Sequence, residues 1–331
     1  MNEDDNQVLS VNRIKQSLES VNFVSTNKES AYEYVKRVNI DKDNVERFLS
    51  WLILTDSIPE GKDLWNISFF HIFKDYRNRL NFFSVDSKNV FPPLLKETTR
   101  ESILCDISRD NSFLMRMVEQ FHIPLSMVDD STIRISRVLM ITLSETPQYD
   151  YIQGFERFAV IAYVLSLQFV LRINLSLIEA EALASLLLRC LLQFSEPSRF
   201  LERNSTTMQY FINLDSYLYK HNPRFMEMMS PICSENFAAP WIGVLFADIH
   251  PPNESLLIWD YVLLNRSNIP LFIKALVSSH IKQIPLEKRG YDLLDVVFSY
   301  NQWNVRNIIN ESESQIHAKL SFISFLTMLS L

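Results

Sequence analysis

Residues 145–166 read ETPQYDYIQGFERFAVIAYVLS. The first ten residues of this stretch are rich in turn formers and end on Gly154. From there Phe155, Phe158, Ala159, Ala162, Tyr163 and Ser166 recur at the i, i+3, i+4, i+7 register of a helix face turned into a core. Gly154 is the only glycine for about ninety residues on either side. A backbone that spends a glycine there is expected to turn sharply and push the neighbouring Gln153 outward.

The same helical spacing extends in both directions. Val45, Phe48, Leu49, Leu52 and Ile53 form one apolar stripe, which Pro59 and Gly61 interrupt between Ser57 and Lys62. A weaker pattern of Val8, Val11, Ile14, Leu18 and Val21 predicts a helix near the N-terminus. Pro92 and Pro93 mark a loop over 84–96. Helices are expected over 94–110 and 129–144, the second with Asp129 or Ser131 as N-cap, then over 175–194, with two or three more from 204 to 280. Residues 293–298 allow a short strand, but helix fits their surroundings better. No repeat of fixed period is present, which argues against a helical solenoid. One all-α unit is expected, built as two lobes meeting near residue 155.

Composition agrees. The chain has 331 residues, 47% of them hydrophobic and 21% charged, enough for a sizeable core. Its four glycines are roughly a fifth of ordinary usage, too few for the hairpins and bulges of an all-β fold. They also lie too far apart for a dinucleotide fingerprint or a phosphate-binding loop, and no G-x-S-x-G occurs. A net charge of −7 without a basic cluster argues against nucleic acid. Cys105, Cys190 and Cys233 lack metal or disulfide spacing, and the six histidines are scattered, so no metal site is expected.

Two short stretches carry chemistry. Ile103-Leu104-Cys105-Asp106-Ile107-Ser108-Arg109 is an I-x-x-D-x-x-R sequence, and Tyr151-Ile152-Gln153-Gly154, 44 residues after the arginine, is Y-x-Q-G. On a helix, positions i, i+3 and i+6 share one arc. Ile103 can anchor in the core while Asp106, one turn before Arg109, holds the guanidinium. That guanidinium is always charged and its planar fork suits phosphate oxygens. Taken alone, an Asp–Arg pair at i, i+3 is an ordinary feature of a solvated helix face, worth a few tenths of a kcal/mol; the two stretches weigh only jointly.

In this order and spacing the two stretches resemble the signature motifs of the TBC-domain family of Rab GTPase-activating proteins. Arg47-Phe48-Leu49-Ser50-Trp51-Leu52-Ile53-Leu54 is similar to the segment that opens such domains. Phe237-Ala238-Ala239-Pro240-Trp241 with Leu245-Phe246, and Ile258-Trp259-Asp260, look like two later family segments. The resemblance implies an all-α, two-lobed TBC domain over 38–310, preceded by a helical extension over 1–37 and followed by an apolar tail over 311–331.

It also implies a mechanism in trans. A Rab-family small GTPase in its GTP form would hold GTP and Mg²⁺; this chain would need no cofactor of its own. Arg109 would offset charge on the transferring phosphoryl group and Gln153 would orient the attacking water. Asp106, Tyr151 and Gly154 would support them, and Arg47 and Trp51 would face the partner or lie in the core beneath it. Trp51, Trp241, Phe246 and Trp259 are expected mainly as core. Vesicle-mediated transport is the implied setting.

Two departures from the family pattern matter. Asp110 follows Arg109 where threonine is usual, and an acid there is expected to draw the finger's charge inward or repel phosphate. Asn39-Ile40-Asp41 stands in place of the usual lead-in. Both leave a second reading, a TBC scaffold that binds a GTPase or a complex partner without turnover. The acidic start, Met1–Gln7, does not read as a signal peptide. The strongly apolar residues 320–331 read either as a docked helix or as the beginning of a membrane anchor. With the stretch from Phe194-Ser195-Glu196-Pro197 through His221-Asn222-Pro223, which has some similarity to members anchored at the endoplasmic reticulum by a C-terminal helix, this places the expected site of action in the cytoplasm, at or near endoplasmic reticulum or Golgi membranes.

Overall fold

The computed structural model describes residues 10–82, 95–146, 150–194 and 205–329. Among these the chain forms sixteen α-helices and no strand, as the glycine scarcity and the helical register predict. The chain divides into two compact units, 1–193 and 194–331. The boundary therefore lies at 193/194 and not near residue 155, which sits inside the first unit.

The first unit contains α1 (Val11–Glu19), α2 (Lys28–Lys36), α3 (Asn44–Leu54), α4 (Trp65–Phe82), α5 (Glu97–Arg109), α6 (Asn111–Gln120), α7 (Ser131–Glu145), α8 (Phe155–Arg172) and α9 (Leu177–Phe194). Its axis is α8. The predicted face of that helix is buried, and so is most of the rest, from Phe155 to Val170. A helix apolar on all sides must be wrapped by others; α3, α5, α6 and α7 pack on it. Phe169 receives the rings of Phe48 and Phe69 at centroid distances of 5.1 and 5.6 Å, and that of Phe23 at 6.0 Å.

The N-terminal helices join this core. α2 packs on α3 and α1 on α4. Buried Glu46 of α3 accepts hydrogen bonds from the backbone N–H groups of Val24 and Ser25 at 2.9 and 3.2 Å. The stripe of α3 is wider than its periodicity suggested, because Arg47 and Glu46 are buried with it. After α3 the chain turns where Pro59 and Gly61 stand, with Gly61 at φ 91°.

Between α4, α7 and α9 lies a buried charge cluster. Glu181, fully inaccessible, accepts from Arg134 Nη1 and Arg137 Nε at 2.6 Å each, from a second Arg137 nitrogen, and from the Tyr76 hydroxyl at 3.0 Å. Apolar periodicity carries no signal for such a cluster, since its members sit at core positions of three separate helices.

Two local expectations change. The cap of α7 is Asp130, with neither Asp129 nor Ser131 in that role; Ser131 is the first helical residue and is buried. Asp130 has ψ 10°, outside the extended region typical of capping, and makes no side-chain cap bond. α6 was not foreseen as a separate helix. It follows α5 after the single residue Asp110, which closes one helix and opens the next.

The second unit contains α10 (Ser205–His221), α11 (Pro223–Met229), α12 (Ser234–Gly243), α13 (Pro252–Leu264), α14 (Ile269–Ile281), α15 (Gly290–Ser299) and α16 (Val305–Leu329). Residues 293–298 are helical, within α15. α14 lies against α10, α13 and α16. Trp241, Phe246 and Trp259 are at most 3% exposed, and the Trp259 indole N–H donates to the carbonyl of Leu245 at 2.9 Å. They are core, as expected.

α16 runs through residue 311; the side chains of 319–329 lie outside the described ones. Among the described residues no helix is long and apolar enough to cross a membrane. The expected features at Val8, Pro92 and Pro93, 147–149 and Ser195–Pro197 also fall outside the described residues.

Candidate active site

Arg109 is the last residue of α5. A cation there meets the unpaired carbonyls of the helix end. Ile103 and Ile107 bury the opposite face, which turns Arg109 outward; its side chain is 62% exposed. Asp106, one turn back and almost buried, accepts a bond from the Arg109 guanidinium. The other Asp106 oxygen accepts from the Tyr151 hydroxyl at 2.6 Å. The I-x-x-D-x-x-R and Y-x-Q-G stretches are thus joined through one carboxylate.

Gln153 lies in the turn that enters α8 and is exposed. Gly154 caps that helix at φ 113° and ψ −24°, a conformation that costs a residue with a Cβ about 1–2 kcal/mol. The sharp turn expected at the lone glycine is there. Glu156, in the first turn of α8, accepts from the Gly154 N–H at 2.7 Å and from the Tyr151 hydroxyl at 3.1 Å. The Tyr151 ring meets Phe155 edge-on at 6.4 Å. Burial pushes the Tyr151 phenol well above its ordinary pKa, and the charge of Glu156 adds to this. The phenol therefore stays protonated and serves as a donor.

The outcome is a cleft of about 550 Å³ lined by Glu101, Ser102, Cys105, Asp106, Arg109, Tyr151 and Gln153. Every residue expected at the chemistry, Arg109, Gln153, Asp106, Tyr151 and Gly154, belongs to this place or its immediate frame. Among the described residues no group of three or more His, Cys, Asp or Glu could hold a metal ion.

Of the two places expected for Arg47 and Trp51, the structure shows the core. They are 0% and 2% exposed within α3 and so lie in the core, not on the surface. Arg47 donates to Asn44 Oδ1, one turn before it. Asp110 also behaves differently from expectation. Its carboxylate lies 3.0 Å from Arg157 Nη1 on α8, an ion pair that joins the end of α5 to the start of α8.

Glu156 and Arg157 escaped the sequence reading. An acid in the first turn of a helix is a start signal that could have marked Glu156. Nothing local could mark Arg157, whose partner is 47 residues earlier in the chain.

The fold and this cleft define a class, and comparison with known proteins agrees. The Rab-GTPase-TBC domain family matches residues 47–285. The chain therefore belongs to the TBC-domain family of Rab GTPase-activating proteins. Among solved structures it is similar to the Ypt/Rab-GAP domain of Gyp1p, with a TM-score of 0.63 over 93% of this chain and 98% of that one. At 13% identity that likeness concerns the fold alone. No curated protein sequence matches the chain.

Proposed function

We propose that this protein accelerates GTP hydrolysis by a Rab-family small GTPase, supplying Arg109 and Gln153 in trans. The observation that carries this reading is that both side chains line one open cleft, Arg109 from the last turn of α5 and Gln153 from the turn that enters α8. Only one nitrogen of the Arg109 guanidinium engages Asp106, and the remaining donors face a largely exposed surface. The partner binds GTP and Mg²⁺, and this chain supplies no nucleotide site. Arg109 offsets charge growing on the transferring phosphoryl oxygens. Gln153, an amide with both donor and acceptor, orients the attacking water. An arginine finger is worth about 10³–10⁵ in rate, or roughly 4–7 kcal/mol. Asp106 and Tyr151 hold the arginine in register without reacting. The setting is vesicle traffic at cytoplasmic membrane faces.

The second reading, a scaffold that binds a GTPase without turnover, is favoured by one observation: Asp106 already holds the guanidinium on this chain.

The deciding experiment measures GTP hydrolysis by a panel of Rab proteins with catalytic amounts of the chain, beside Arg109→Ala and Gln153→Ala. Acceleration on some Rab that falls at least about a hundredfold in Arg109→Ala establishes the activator and names its substrate. Acceleration indifferent to both substitutions overturns the two-finger mechanism, and no acceleration on any Rab leaves the scaffold.

A further inference from the structure

We propose that Asp110 and Arg157 form a strut that sets the spacing between Arg109 and Gln153, making them positioning residues of the reaction; the catalytic part of this rests on the function proposed above. The strut joins two points close to the chemistry. Asp110 is the next residue after Arg109, and Arg157 lies four residues after Gln153.

The carboxylate of Asp110 has no capping duty. Its backbone N–H closes α5 onto Asp106 O at 3.0 Å, and its carbonyl accepts the Phe113 and Leu114 N–H groups at 2.9 and 3.1 Å, but its side chain makes no cap bond to α6. Oδ2 instead lies 3.0 Å from Arg157 Nη1, with the two side chains only 10% and 17% exposed.

Arg157 is fixed from a second side. Its guanidinium lies 4.5 Å from the ring centroid of Phe113, a residue 1% exposed in the first turn of α6. A planar cation between an aromatic face and a carboxylate has little freedom. Its backbone N–H donates to Gly154 O at 3.0 Å, so it is seated in the first turn of α8, against the turn that presents Gln153.

The strut complements the Tyr151–Asp106 bond. One tie holds the residue three before the finger, the other holds the residue after it. Both reach residues that bracket Gln153. Arg157 also sets a positive charge against the acid beside Arg109, which offsets part of that acid's repulsion of phosphate.

The test uses the full chain and four proteins: wild type, Arg157→Met, Arg157→Lys and Asp110→Asn. Methionine keeps much of the packing on Phe113 without the charge; lysine keeps the charge. With the Rab that the panel identifies, kcat is expected to fall between about ten- and a hundredfold in Arg157→Met and Asp110→Asn, the scale of an ångström-sized misplacement. KM should hold, and Arg157→Lys should recover most of kcat. In parallel, NMR of chains labelled at arginine and glutamine follows the Arg109 Nε–H and Gln153 amide signals without any GTPase. Both signals should shift in Arg157→Met and return in Arg157→Lys. Unmoved signals in folded Arg157→Met, or a loss in KM alone, overturn the strut. Failure of wild type to accelerate any Rab removes the function, and the spectra still decide the strut.

Discussion

The hydroxyl of Tyr151 donates to the carboxylate of Asp106 at 2.6 Å across 45 residues of sequence. Asp106 in turn holds Arg109. This contact makes two separately unremarkable sequence stretches one site. Its removal gives the first prediction. Tyr151→Phe should keep the ring against Phe155 and cost about 0.5–1.5 kcal/mol of stability. Arg109 then loses its brace, and kcat for GTP hydrolysis should fall several-fold with GTP-form Rab binding unchanged. Single-turnover hydrolysis beside a binding titration checks this; a variant with wild-type kcat would show that the hydroxyl does not position the arginine.

Gly154→Ala strains the turn at φ 113°. The expected cost is about 1–2 kcal/mol in stability, seen as a lower thermal midpoint. Because Gln153 rides on this turn, its catalytic contribution should fall as well. Hydrolysis rates for Gly154→Ala and Gln153→Ala should therefore be similar, and the double variant should lose little more than either alone. Full additivity would separate the turn from the glutamine.

Glu181→Gln leaves Arg134 and Arg137 in the core without their counter-charge. Breaking a buried pair from one side costs about 3–5 kcal/mol, a large part of a domain's stability. Denaturant unfolding should show the loss. A loss under about 1 kcal/mol would mean that water or a neighbour reaches the site.

Acid should weaken the second unit through His250 and His280. Their Nε2 atoms meet at 2.9 Å, and the His280 ring stacks on Phe246. Burial lowers both pKa values below the ordinary 6.5, and His250 lowers that of His280 further, while Glu254 opposes the shift at His250. The folded state thus binds fewer protons than the unfolded chain. The stabilisation is complete above about pH 6.5 and drains away as pH falls below it. Between pH 6.5 and 5 the loss is at most about 2 kcal/mol for each histidine. Denaturant midpoints at pH 7.5 and 5 should differ less in His280→Phe than in wild type; equal differences would remove these rings as the cause.

Much of the fold was legible in the chain itself. The stripes of α3 and α8 and the poverty of glycine predicted helices, and helices formed. The lone Gly154 predicted a sharp turn, and the turn is there at positive φ. These are local properties. A period of 3.6 residues or a missing Cβ acts on the backbone within a few positions, so the sequence displays them directly. Arg47 shows the limit: nothing along the chain marks this charged residue of α3 as wholly buried, because exposure depends on what covers a helix.

The amino-acid sequence by itself determined that the chain is helical, where a tight turn must fall, and that an arginine and a glutamine of suitable chemistry stand 44 residues apart. Only the tertiary structure decided that they share a cleft, that Asp110 pairs with Arg157, and that Glu181 gathers two arginines in the core. The reason is physical: propensity and periodicity act between neighbours along the chain, while ion pairs and clefts depend on which distant helices pack together, a choice made by the burial energy of the whole core.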